Sequence, residues 1–251
     1  MVDVPRNASA WLLLPALSSG PVVDLRIVSY NLRGLRDDRS AIVRVLRGLD
    51  ADVVCLQEAP RFWRWRSRCA ALARESGLLY TGGGRMLGGT AMMASLRVDV
   101  RSTIEYAFSR TPKLHKRGAV AARIHRSGVS LVVASVHLGL DADERYRHRG
   151  ELVGLVDRFE SDVTVLAGDI NEGPDKPTWR ALAADFVDAG ADDDTPTFSV
   201  VNPRRRIDGI FVHGPARITS YRVVDGPDVL VASDHRPVVV DLSLDLPGVI
   251  R

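Results

Sequence analysis

The stretch VTVLAGDINEGP, residues 163–174, turns from apolar to polar within two positions. Val163–Ala167 carries the β-branched and small residues of a strand buried on both faces. Gly168 follows, and then Asp169-Ile170-Asn171-Glu172. A carboxylate at the end of such a strand needs a partner, because burying an unpaired charge is costly. On an extended chain, Asp169 and Asn171 face one way and Ile170 and Glu172 the other. Asp169 and Asn171 are therefore the candidate pair, and Glu172 is set aside.

Working outward, other apolar runs have the same character. LRIVSYNL, ADVVCLQE, GTAMMAS, AVAARI, SLVVASVHL, IDGIFV and RPVVVDLSL all read as buried strands. Helical patterns fall between them. SAIVRVLRGL has Ser40 as its expected N-cap, and PRFWRWRSRCAALARESG has Gly77 as its stop. DERYRHRGELVGLVDRFES and KPTWRALAADF follow, the latter with Pro177 suited to a first helical turn. Strands outnumber helices and the two are mixed, which predicts packed sheets covered by helices.

The pattern also echoes itself. Residues 27–58 run strand, SYNL, GL, helix, AD, strand, Gln57-Glu58; residues 132–169 run strand, SVHL, GL, helix, SD, strand, Gly168-Asp169. This aligns Asn31 with His137 and Glu58 with Asp169, and predicts two similar halves meeting face to face. The strand-end polar residues are then Asn31, Glu58, His137, Asp169, Asn171, Asp208 and Ser233-Asp234-His235. Each alone is an ordinary turn former or structural histidine. Their recurrence at the ends of apolar strands is where α/β sheets gather ligands.

Composition bounds the rest. The 251 residues are 45% apolar and 26% charged, an ordinary globular balance that allows one core. The net charge of +3 is carried mostly by arginine, with lysine only at Lys113, Lys116 and Lys176. It permits an anionic partner without requiring one. The two cysteines, Cys55 and Cys69, form no disulfide framework or zinc spacing. AWLLLPALSSG, residues 10–20, is too short to span a bilayer and lacks a basic leader before it. Residues 1–20 are expected to be an extension and residues 21–251 a single domain. A cytoplasmic location and a monomer are favoured, with no stable membrane insertion; secretion through the short N-terminal apolar run is the alternative.

Other segments have competing readings. In RFWRWRSR, helical spacing puts Phe62, Trp65, Cys69 and Leu72 on one face, which favours core over a basic-aromatic nucleic-acid surface. TGGGRMLGGT lacks the ending of a phosphate loop and is expected to be a mobile turn before a strand; the alternative is a backbone that approaches substrate. Arg205 and Arg206 lie three and two residues before Asp208, so they are candidate substrate phosphate ligands beside a solvated-turn alternative.

IVSYNLRGL, VVCLQE, VVASVHL, LAGDINEGP, RRIDGIFV and SDHRPVVV, in this order, resemble the endonuclease/exonuclease/phosphatase superfamily with its DNase I-like fold. The resemblance spans Leu25 to Leu244. It implies a four-layer α/β sandwich, two mixed sheets face to face with helices outside. It also implies hydrolysis of phosphate esters with Mg²⁺, Mn²⁺ being the alternative. By the same resemblance, Glu58 is the metal-binding glutamate. Asp169 orients or deprotonates the attacking water, with Asn171 beside it. His235 binds the scissile phosphate and Asp208 holds its ring. Asn31 and His137 are further phosphate-side and metal-side positions, Asn31 counted among the metal ligands, and Asp234 lies near the metal.

The residue types suit that chemistry. Mg²⁺ takes oxygen ligands and keeps several waters, so one or two carboxylates suffice. A histidine beside an aspartate tends to stay protonated, which makes His235 a better phosphate clamp than base. SVHLGL departs from the abasic-site endonucleases, RRIDGI departs from the inositol polyphosphate 5-phosphatases, and Gly209 stands where many members carry tyrosine. The expected activity is that of a phosphodiesterase or nuclease, with nucleic acid among the candidate substrates. The alternatives are a phosphomonoesterase or phospholipid or inositol-phosphate headgroup hydrolase, and a non-catalytic binding module on the same fold.

Overall fold

The computed structural model of the chain describes residues 22–246. The expectation of an extension over residues 1–20 lies outside them. In chain order the elements are β1 (Val22–Asn31), α1 (Arg39–Leu49), β2 (Val53–Gln57), α2 (Trp65–Glu75), β3 (Leu79–Gly84) and β4 (Thr90–Ala94). Then come β5 (Asp99–Ala107), β6 (Gly118–Arg126), β7 (Val129–His137), α3 (Ala142–Asp157), β8 (Thr164–Asp169) and α4 (Pro177–Asp185). The chain continues with β9 (Val187–Asp188), β10 (Asp208–His213), β11 (Ala216–Val223), α5 (Pro227–Ala232) and β12 (Val238–Asp245).

The strands form two six-stranded sheets, ordered β11-β12-β1-β2-β4-β3 and β5-β6-β7-β8-β10-β9. Each sheet has a parallel pair at its centre, β1 with β2 and β7 with β8, flanked by antiparallel neighbours. The two halves thus share one topology, as the sequence echo predicts. Register moves one correspondence, however. Asn31 pairs with Gln57 and His137 with Asp169, so the equivalent of Asp169 is Gln57 and not Glu58.

Strand alternation builds the layers. Ile27, Val53 and Cys55 from one sheet meet Val133, Val165 and Ala167 from the other in the core between them. Val28, Val54 and Leu56 face outward onto Ile42 and Leu46 of α1 and Cys69 and Leu72 of α2. Leu166 and Phe211 face the opposite way onto Leu152 and Leu155 of α3 and Trp179 and Leu182 of α4. The result is helix, sheet, sheet, helix. No helix among the described residues is long and apolar enough to cross a membrane.

Local chemistry refines several expectations. Asp38, not Ser40, caps α1, its carboxylate accepting from the amides of Ser40 and Ala41. An aspartate reaching two orphan amides outcompetes a serine placed one step into the helix. Pro177 opens α4 as expected. The helix read from Pro60 begins only at Trp65, which leaves Phe62 outside it and exposed, a correction to its core assignment. The glycine-rich segment is the end of β3 and a short turn into β4, and not a free loop. There Gly89, at φ 99°, packs so closely that a Cβ would sit 2.9 Å from the Ala59 carbonyl.

Gly168 is the tightest position near the polar end of β8: a Cβ there would lie 2.0 Å from the Val136 carbonyl of β7. Gly168→Ala is expected to destabilise the protein by about 1–3 kcal/mol, the usual cost of overpacking. A denaturant titration reads this directly, and an unchanged midpoint would show that β7 and β8 can part without cost.

Candidate functional site

The same alternation that fills the inter-sheet core with valine and isoleucine sends Asn31, Gln57, His137, Asp169 and Asp208 to that face at the strand ends. Gln57 is structural, with its Oε1 accepting from Ser29 and its Nε2 donating to the Cys55 carbonyl. Asp169, 2% exposed, is the centre of the group. Its Oδ2 accepts from Asn31 Nδ2 at 3.0 Å and lies 3.3 Å from His137 Nε2. Its Oδ1 accepts from the Asn171 amide at 2.9 Å. Burial pushes its carboxyl up to about 7, reinforced by the neighbouring Asp208 and opposed by His235 and the hydrogen bonds from Asn31 and Asn171.

Asp208 stands directly across from Asp169 in the β8–β10 register. Its Oδ2 accepts from His235 Nδ1 at 2.9 Å, while His235 Nε2 lies 3.9 Å from Asp169 Oδ2. Burial works against a charge on His235, but the Asp208 charge and hydrogen bond, with Asp169 and Asp234, outweigh it and push the ring up to about 9. Phe198 packs on the ring in a tilted arrangement, 4.7 Å between centroids and 49° between planes. His137 goes the other way: burial first, then Arg117, hold it well below the ordinary histidine range. One neutral and one cationic imidazole therefore face the same carboxylate.

The remaining expected residues are placed as follows. Asn171 is not on an extended chain; at φ 62° it folds back, its Nδ2 donating to the Leu138 carbonyl. Its place beside Asp169 comes from a turn, not from strand parity. Glu172 turns away to an ion pair with Arg145 at 2.7 Å and accepts from the Trp179 amide at the start of α4. Asp234 lies 3.2 Å from Arg33 and outside the Asp169–Asp208–His235 trio. Ser233 ties this segment to the site by donating to the Asn31 carbonyl. Glu58, at φ 49°, leaves β2 half-buried, and its carboxylate makes no hydrogen bond or salt bridge among the described residues.

The two arginines separate. Arg206 is buried, bidentate to Asp188, and stacked on Trp179 at 4.7 Å. This corrects the expectation that it binds phosphate, because withdrawing it would strand the buried Asp188. Arg205 is exposed, lies over Phe198 at 4.8 Å, and lines a cavity of about 510 Å³ with Asn171, Lys176 and Arg204.

One residue went unread in the sequence. Arg117 is 7% exposed and its Nε has no hydrogen-bond partner. Burial lowers its pKa, while the charges of Asp169 and Glu58 raise it. Its signal was positional, since it precedes Gly118, which pairs with His137 across β6 and β7. A larger cavity, about 650 Å³, sits at the opposite end of β1 among Asp24, Arg26, Asp52 and Asp241. There Asp52 is paired with Arg97 and Arg126, so that cavity is an ion-paired surface remote from this chemistry.

The pattern of the Endonuclease/Exonuclease/phosphatase family matches residues 28–235. No curated protein sequence matches the chain. Among solved structures, an endonuclease/exonuclease/phosphatase from Bacteroides vulgatus superposes with a TM-score of 0.76 at 18% identity, covering 89% of this chain and 100% of that one. A mannosyl-6-phosphatase from Bacteroides thetaiotaomicron gives 0.72 at 19% identity over 87% and 99% of the two chains. TDP2 from D. rerio, complexed with a single strand DNA product, gives 0.69 at 18% identity over 87% and 98%. At such identities these neighbours are evidence of a shared fold, the DNase I-like sandwich. The family match over residues 28–235 adds descent to that likeness: the chain belongs to the endonuclease/exonuclease/phosphatase family.

Proposed function

We propose that this chain is a divalent-metal-dependent phosphoester hydrolase acting on phosphodiesters. The observation that carries this reading is the geometry at Asp169: a buried carboxylate whose Oδ2 lies 3.9 Å from Nε2 of a histidine that Asp208 holds through Nδ1 at 2.9 Å; burial raises the Asp169 pKa, and Asp208 favours the cationic ring. A base is most effective when its pKa is close to the working pH, and an ordinary aspartate is too weak. Asp169 is held in orientation by Asn31 and the Asn171 amide, so it can position a water and take its proton. His235 presents Nε2 on the same side, where it donates to a phosphoryl oxygen as negative charge builds there. Arg117 offers a second buried cation whose unpartnered Nε an anion would satisfy.

The fit to a cation is specific. The Asp169–Asp208–His235 trio does not make an oxygen cage, because His235 Nδ1 is committed to Asp208 and its ring is cationic. Both amide atoms of Asn31 are likewise engaged, by Asp169 and by the Arg33 amide. Glu58 is the hard, unengaged carboxylate, and one carboxylate with waters and substrate phosphate suits Mg²⁺. When bound there, Mg²⁺ or Mn²⁺ neutralises phosphate charge and acidifies water.

A diester is favoured over a monoester by the space available. A diester carries a substituent on each side of its phosphorus. Here one cavity, about 510 Å³, opens on the Asn171 and Arg205 side, and another, about 210 Å³, opens on the Glu58 and Arg61 side.

In a metal-replete assay, hydrolysis of bis-p-nitrophenyl phosphate is expected to exceed that of the monoester, to vanish with EDTA, and to return with Mg²⁺. Activity that survives EDTA would remove the cation, and phosphate release from monoesters alone would replace the diesterase with a phosphomonoesterase. Asp169→Asn is expected to lower kcat by about 10²–10⁴-fold, the range of general-base catalysis. A change under tenfold would remove Asp169 as base. In the metal-free protein, His235 is expected to hold its proton until about pH 9. In Asp208→Asn its titration midpoint should fall, because the stabilising charge is gone while burial remains; imidazole NMR shifts across pH read both variants.

A further inference from the structure

The RFWRWRSR segment is not used by the core in the way its spacing suggests. Phe62 is 69% exposed and Trp63 80% exposed, on a short stretch between β2 and α2. Adjacent large aromatics held in water are rare on a surface without a partner. Their neighbour Trp65 has a folding role, packing onto the α1–α2 core and against Gly84. Phe62 and Trp63 have none.

The stretch is firmly held. The Ala59 amide donates to the Gly89 carbonyl, Cys69 Sγ lies 3.6 Å from the Pro60 carbonyl, and Arg61 Nη1 donates to the Gly88 carbonyl. The rings are thus presented on a fixed support. Arginines flank the pair: Arg61 lies over Phe62 at 5.4 Å and Arg64 over Trp63 at 5.3 Å. From Ala59 to Arg74 there is no acidic residue. A cavity of about 210 Å³ joins Phe62, Arg61, Arg68 and Arg36 to Glu58. The charge of Arg61 also reaches Arg117 and His137 in the cluster.

We infer that Phe62 and Trp63, with Arg61 and Arg64, form a platform that binds unpaired nucleic acid beside the scissile phosphate. This rests on the phosphodiesterase reading and gives it a substrate class. Aromatic rings stack on the faces of bases, which a duplex covers and a single strand leaves open, and arginines neutralise the phosphates between them. A bilayer would also accept tryptophan, phenylalanine and arginine at its interface. A membrane site, however, has no need of an arginine-lined pocket running from Phe62 to Glu58.

The test is binding of fluorescein-labelled oligothymidylate, read by anisotropy in EDTA, alongside hydrolysis of bis-p-nitrophenyl phosphate with Mg²⁺. The Phe62→Ala/Trp63→Ala variant is expected to bind the oligonucleotide at least tenfold more weakly with Tm unchanged, because both rings are exposed, and Trp63→Ala alone, whose ring does not line the cavity beside Glu58, is expected to keep small-ester hydrolysis unchanged. Arg64→Ala is expected to reduce the slope of log affinity against log salt by about 0.7, the loss of one single-strand phosphate contact. Equal oligonucleotide affinity in parent and double variant would overturn the platform. So would a double variant that loses only its binding to phosphatidylglycerol vesicles. Failure of the parent to hydrolyse the small ester would instead overturn the phosphodiesterase reading, and binding measured in EDTA keeps the two results apart.

Discussion

Asp169 lies between two sheets with no arginine or lysine among the described residues paired to it. Its oxygens are shared among Asn31, His137 and the Asn171 amide. Each of these partners is fixed by a different part of the fold: the end of β1, the end of β7, and the turn after β8. A carboxylate in this position is costly to bury, and hydrogen bonds offset only part of that cost. The remainder appears as its raised pKa. The same electrostatic field keeps His235 protonated through Asp208. The polarity of the whole site follows from one acid being forced into the seam.

The two halves are alike in topology but not in charge. Where the second half has Asp169 opposite His137, the first has neutral Gln57 opposite Asn31. Gln57 satisfies itself locally through Ser29 and the Cys55 carbonyl. A second buried acid there would add repulsion to a seam that already holds Asp169 and Asp208 side by side. The first half instead places its acid one residue later, on Glu58, where a left-handed turn releases it to partial solvent. The pair of sheets thus separates a buried carboxylate from a half-buried one.

Arginine dominates the basic charge, and its members divide by placement. Arg145 and Arg206 are buried in ion pairs with Glu172 and Asp188 and brace the region around α4. Breaking such a pair is strongly destabilising because the partner is left charged and buried. Among the described residues, Arg117, Arg205 and Arg61 border the cleft with no carboxylate bound to them, so their charge remains available to an anion. Sequence proximity to Asp208 does not distinguish Arg205 from Arg206; burial does.

The amino-acid sequence by itself determined the central strands and the identities of the polar residues that end them. Strands covered on both faces must be continuous apolar runs, and an acid or histidine at the end of one stands out. The strands that it did not reveal, β3, β5, β9 and β11, are the four sheet edges. Edge strands are half-solvated or glycine-rich, so they carry no such run. Tertiary structure alone decided which residue opposes which. It set Gln57, and not Glu58, against Asn31. It committed Arg206 to Asp188, brought Arg117 beside Asp169, and turned Phe62 out to solvent. These outcomes depend on register, on left-handed turns and on where α2 begins. They arise from contacts between segments far apart in the chain, and local periodicity does not record such contacts.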